Sequence, residues 1–86
     1  SILLLTISFI QAQQMKLPQA FEESYTHEYN LEYGKAVNVL EKIYLSHISN
    51  YDINLRLGWL KNSDGDFKNS VNYYTKAIEL KPLSLE

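Results

Sequence analysis

The chain has 86 residues, with eight basic and ten acidic side chains, a formal net charge of −2 and a hydrophobic content of 45%. That is room for one small globular domain and too apolar for a disordered chain, and the lack of any basic run excludes electrostatic binding to nucleic acid. Cysteine is absent, which removes disulfides and thiolate metal sites from consideration.

The chain opens with SILLLTISFI, almost wholly apolar, followed by Gln11-Ala12-Gln13-Gln14. An apolar run of about ten residues falls short of the ~20 that a helix needs to span a bilayer. It suits the hydrophobic part of a secretory signal, with Ile10-Gln11-Ala12 as the cleavage site, and residues 1–12 are assigned to it. The expected setting is then periplasm, cell envelope or secreted medium. The alternative is an N-terminal helix packed on the rest, with a cytoplasmic location and membrane contact only where residues 1–10 are retained. A mature N-terminus that still carries residues 1–10 would favour this alternative.

From residue 17 the pattern is helical. Pro18 suits the first turn of a helix over 18–29, where its missing amide has no partner to lose. Asn30 is placed to take the left-handed conformation that ends it. A second helix is expected over 32–47, because Tyr33, Ala36, Val37, Leu40, Ile43 and Tyr44 recur at spacings of three and four. Ser49-Asn50-Tyr51-Asp52 reads as a capping box for a third helix reaching to about Ser63, with Ile53, Leu57 and Leu60 as its apolar stripe. Gly65 ends that segment and Asp66 caps a fourth helix running to about Leu80, with Phe67, Val71, Tyr74, Ala77 and Ile78 inward and Pro82 as its stop. The short connections make each helix pair antiparallel.

Residues 17–50 and 51–84 stand in register as two 34-residue units without a gap. Only Val37/Val71, Asn38/Asn72 and Lys42/Lys76 are identical, but side-chain types match: Phe21 with Leu55, Ser24 with Gly58, Tyr25 with Trp59, Tyr33 with Phe67 and Ala36 with Ser70. In the second unit, Leu57-Gly58, Gly65, Phe67, Tyr74, Ala77 and Pro82 resemble a tetratricopeptide repeat. Asn54 and Lys61 depart from it, standing where that family usually has large apolar residues. Leu31 takes the place of the turn glycine and Ile48 that of the terminal proline. The resemblance implies an all-α chain of antiparallel helical hairpins stacked as a short right-handed α-solenoid, with 17–50 and 51–84 as two repeats of a longer array.

It also implies a concave groove lined by the first helix of each pair. On this sequence that places Phe21, Tyr25, Glu28, Tyr29, Asp52, Leu55, Trp59 and Asn62 in a partner-binding groove for a peptide or partner helix. The competing reading of the same stripe is packing within the chain or against another subunit. Family members that grip a C-terminal carboxylate use Lys and Asn where this chain has Phe21 and Tyr25, so that clamp is not expected. The groove residues should be more exposed than Val37, Leu40, Val71 and Tyr74. Leu80, Leu83 and Leu85 form an apolar end that would draw in a partner, a third repeat or a second copy of the chain, the last being self-association.

No catalytic, cofactor or metal site is expected. Asp64-Gly65-Asp66 lacks the spacing of a calcium loop, and His27 and His47 lack the spacing of a zinc helix. There is no GxSxG or phosphate loop, and no polar cluster places a nucleophile beside a base. The sequence therefore reads as a protein-interaction scaffold rather than an enzyme. The alternatives are a non-catalytic repeat domain of a larger envelope enzyme and a membrane-tethered adaptor.

Overall fold

The computed structural model describes residues 15–81. The expected signal segment, Pro82 as a helix stop, and the leucines Leu83 and Leu85 of the expected apolar end lie outside the described residues. Within them the regular elements are all helical: α1 (Leu17–Tyr29), α2 (Tyr33–Glu41), a 3-10 turn (Tyr44–Ser46), α3 (Tyr51–Ser63) and α4 (Phe67–Leu80). The described residues are all-α, as their periodicity predicts. α1 packs on α2, α2 on α3 and α3 on α4, so neighbours in sequence are neighbours in space.

One buried cluster joins the helices. Ala20 of α1, Ala36, Val37 and Leu40 of α2, Ile43 just beyond it, and Ile53, Leu57 and Leu60 of α3 contribute to it. Leu40, Ile53, Leu57 and Leu60 are fully buried. Each such side chain stabilises the fold by about 1.5–3 kcal/mol relative to exposure, so this small set outweighs the surface ion pairs. The close approach of α3 and α4 depends on Gly58. A Cβ there would lie 2.6 Å from Cδ1 of Tyr74. The same approach lets the buried Ser70 hydroxyl donate to the Gly58 carbonyl at 2.7 Å.

The two turns between paired helices are built alike. After α1, Leu31 N–H donates to Glu28 O and Glu32 N–H to His27 O; after α3, Gly65 N–H donates to Asn62 O and Asp66 N–H to Lys61 O. This paired bonding satisfies carbonyls that the helix end would leave open, and it requires a left-handed residue. That residue is Gly65 at φ 85° after α3 and Leu31 at φ 60° after α1. Asn30, expected in that role, has φ −87° instead. The turn hydrogen bonds set the left-handed position one residue later. Beside each turn a base meets an acid: His27 Nδ1 lies 3.5 Å from Glu32 Oε1, and Lys61 Nζ lies 3.4 Å from Asp66 Oδ2.

The second helix is shorter than its periodicity predicts. α2 ends at Glu41, and the chain tightens into the 3-10 turn instead of continuing to residue 47. The cause lies in α3. Asn54 is fully buried, and its amide donates to Ile48 O at 3.0 Å and Asn50 O at 2.7 Å. Tyr44 Oη donates to Asn54 Oδ1 at 2.7 Å. Three hydrogen bonds thus fold the connection onto one side chain, which also explains a polar residue at a core position. The cap of α3 is Asn50, whose side chain accepts from Ile53 N–H at 2.9 Å. The expected capping box from Ser49 does not form: the cap falls one residue later, at Asn50, and Ile53 has no side-chain acceptor to return the bond. Asp66 caps α4 as expected, accepting from Asn69 N–H.

On α4 the inward set differs from the predicted one. Ala77 and Ser70 are buried and Tyr74 is half-buried, while Phe67, Val71 and Ile78 are exposed. α4 has two apolar faces, and α3 covers only the one that carries Ser70 and Ala77.

Candidate functional site

α1 and α3 lie side by side and enclose a groove of about 720 Å³, lined by Leu17, Pro18, Phe21, Tyr25, Glu28, Asp52, Leu55, Arg56 and Trp59. Helical spacing explains the lining. Leu17, Phe21, Tyr25 and Glu28 lie on one face of α1; Asp52, Leu55, Arg56 and Trp59 lie on one face of α3. Six of the eight residues expected in a groove come together here: Phe21, Tyr25, Glu28, Asp52, Leu55 and Trp59. Tyr29 and Asn62 do not line it; both are exposed near the ends of their helices.

Tyr25, Leu55 and Trp59 present 53%, 40% and 41% of their surface to solvent, while Val37 and Leu40 are buried. Against the expectation, Val71 is more exposed than any of these three. Phe21 is half-buried and meets Tyr25 with ring centroids 6.3 Å apart. Trp59 also makes an edge contact with Tyr33 of α2, which braces the indole from behind.

Arg56 also lines the groove, at a position that the repeat resemblance does not assign to it. Its guanidinium lies 4.2 Å from the ring centroid of Tyr25 and 5.6 Å from that of Trp59. Its Nε donates to Ser24 Oγ at 3.3 Å, and Ser24 Oγ in turn donates to Phe21 O at 2.7 Å. Its Nη2 forms an ion pair with Glu28 Oε1. Both atoms are buried, and neither has a hydrogen-bond partner beyond this ion pair. The Arg56 side chain is only 11% exposed. Desolvating an ion pair is costly unless each charge keeps the other, so removing one partner strands the second. Arg56 therefore ties α3 to α1 and holds both aromatic rings at the groove. Glu28 on one helix and Arg56 on the other, opposite in charge at neighbouring groove positions, was the available sequence signal.

A second polar set lies at the seam between the hairpins. Tyr73 Oη of α4 donates to Glu41 Oε2 of α2 at 2.6 Å. Lys61 of α3 stands 3.9 Å from the same carboxylate. Tyr73 also meets Tyr44 edge-on, with centroids 5.4 Å apart. Burial raises the pKa of the Tyr73 phenol well above the usual tyrosine value, and the adjacent Glu41 carboxylate raises it further. Burial alone raises that of Tyr44. At the turns, Glu32 is held below the usual carboxylate range by the Lys35 hydrogen bond and then by His27. Asp66 is held below it mainly by the Asn69 side chain.

Among the described residues no cluster of three or more His, Cys, Asp or Glu could hold a metal ion, and no helix is long and apolar enough to cross a membrane. Compared with known proteins, the chain matches no family model, no curated protein and no solved structure.

Proposed function

We propose that the chain is a non-enzymatic protein-interaction module whose groove between α1 and α3 takes an extended peptide or a partner helix. The observation that carries this reading is the convergence of Phe21, Tyr25, Leu55 and Trp59 on one open groove, with Arg56 clamped between two of the rings. Rigid aromatic side chains that remain solvent-facing are the anchors that recognition surfaces use. The charge of Arg56 is engaged by Glu28, which leaves Asp52 as the uncompensated charge of the lining. The fitting ligand is an apolar segment carrying one basic group.

The reading extends to architecture. We infer two tetratricopeptide-like hairpins, stacked as a short right-handed solenoid. Its support is the equivalence, one repeat apart, of His27 with Lys61, Leu31 with Gly65 and Glu32 with Asp66, each pair filling the same structural role.

Trp59 is the one tryptophan in the chain, so its fluorescence reports on the groove directly. The test is a selection of displayed random peptides against the chain, followed by titration of the enriched peptides. Bound peptide should shift Trp59 emission. Tyr25→Ala and Leu55→Ala should each weaken binding by about 2 kcal/mol or more, roughly thirtyfold, at a true anchor. Lys42→Ala, on an exposed face remote from the lining, should leave it unchanged. Groove variants that stay folded and bind as tightly as the parent would overturn the assignment.

A further inference from the structure

The outer face of α4 carries a second apolar surface, distinct from the groove. Phe67, Val71 and Ile78 are 63%, 61% and 65% exposed. With half-buried Tyr74 they recur at i, i+4, i+7 and i+11, which aligns them along one side of the helix. One repeat earlier the same positions are Tyr33, Val37, Leu40 and Tyr44. There Val37 and Leu40 are buried, Tyr33 meets Trp59 of α3, and Tyr44 bonds to Asn54 of α3. In the first hairpin, then, this stripe is covered by the helix that follows. On α4 Phe67, Val71 and Ile78 of the same stripe face solvent, and only Tyr74 is covered in part, where its ring meets Gly58 of α3.

The α1 end of the described residues is different in kind. The α3 residues that bury themselves at this level are Ile53, Leu57 and Leu60. Their equivalents in α1 are Gln19, Glu23 and Thr26, with Gln19 and Thr26 exposed and Glu23 half-buried. A polar face does not complement an apolar stripe. Head-to-tail stacking of copies, which would grow without closing, is therefore disfavoured. Between these two faces, the one that complements the stripe is the stripe itself.

We propose that two copies of the chain pair through α4 about a two-fold axis, with the two α4 helices antiparallel. Charge sets the direction. Lys68 and Glu79 lie on the same flank of the stripe, near opposite ends of α4, and neither has an ion-pair partner among the described residues. Antiparallel pairing sets Lys68 of each copy beside Glu79 of the other, so the interface gains the pair twice, and it opposes the two helix dipoles. Such an interface is closed and isologous, with Val71 and Tyr74 at its centre.

Sedimentation equilibrium of the full chain over a range of concentrations tests the proposal. The expected result is a reversible monomer–dimer equilibrium that Val71→Asp abolishes. Lys68→Glu and Glu79→Lys should each weaken the dimer roughly three- to tenfold, the worth of two exposed ion pairs. The double variant Lys68→Glu/Glu79→Lys should restore it, because exchange of both charges rebuilds both pairs only in the antiparallel arrangement. All three positions are exposed, and circular dichroism checks that the variants stay helical. Should Val71→Asp lose helicity, the charge exchange decides alone. A monomer at every concentration, assemblies that grow past two copies, a dimer indifferent to Val71→Asp while folded, or no recovery in the double variant would each overturn it. The groove lies between α1 and α3, so this result is independent of peptide binding there.

Discussion

At Leu31 the backbone holds φ 60°, where the second hairpin uses Gly65 at φ 85°. For a side chain with a Cβ that region costs roughly 1–2 kcal/mol, and the turn keeps it because two amide bonds and the helix end depend on it. Leu31 is 74% exposed, so it returns little in burial. Leu31→Gly should therefore stabilise the fold. The gain is the left-handed penalty less glycine's extra unfolded-state entropy of roughly 0.5–1 kcal/mol, a net of about 0.5–1 kcal/mol. Gly65→Ala should move stability the opposite way by a similar amount, since nothing lies within 4 Å of the added Cβ and the strain is all backbone. Paired thermal melts of the two variants check this. A melting temperature for Leu31→Gly at or below the parent's would contradict the account. The sequence marks Gly65 as a turn because glycine is permissive there. It hides Leu31, whose conformation is imposed by hydrogen bonds to Glu28 and His27 and not by its own preference.

At the scale of elements, the helices announce themselves where punctuation is local. Pro18 in the first turn and Gly65 at a stop fix boundaries through their own backbones, and Asp66 does so through its own side chain, which accepts from Asn69 N–H. The early end of α2 is different. Ile43 and Tyr44 continue the apolar spacing from Leu40, so the pattern reads straight through the break. What bends the chain is Asn54, ten residues beyond Tyr44, and a contact of that kind leaves no periodic trace. The groove follows the same division. Its aromatic residues were legible only through the repeat resemblance, which implies which helix faces form a groove, whereas the Arg56–Glu28 tie depends on which side chains then meet across it. The α3–α4 contact gives the element-scale prediction. Alanine at position 58 would favour the helix by up to ~1 kcal/mol but drive a methyl into the Tyr74 ring. Overpacking costs about 1–3 kcal/mol, so the net is a loss. Chemical denaturation of Gly58→Ala, Tyr74→Ala and the double variant measures it. If the clash is the cause, the double variant loses less than the sum of the single losses. Strict additivity would place the cost elsewhere.

Across the whole molecule, the two hairpins meet at a seam held by neutral phenols. Tyr44 reaches from the first hairpin to Asn54 in the second, and Tyr73 reaches from α4 back to Glu41 on α2. Both phenols have pKa values raised in the folded chain, Tyr73 by burial and then by the Glu41 carboxylate, Tyr44 by burial. A raised folded pKa means stability that is fully present below the ordinary tyrosine value of about 10 and is lost as pH rises through the folded value. Glu32 and Asp66 work in the opposite sense. Their lowered values give stability present above the ordinary carboxylate pKa and lost as pH falls through the depressed one. These two carboxylates brace the turns within each hairpin, so acid should loosen the hairpins internally while alkali should part them from each other. Urea denaturation at a series of alkaline pH values, with tyrosinate absorbance followed in parallel, tests the second half. Stability should decline once pH passes about 10, because the unfolded chain then releases phenolic protons that the fold retains. Tyr73→Phe removes a hydroxyl that donates to Glu41 and should make that decline shallower, while leaving the Asn54 contact of Tyr44 in place. A Tyr73→Phe chain whose alkaline decline matches the parent's would mean that the seam does not depend on this phenol.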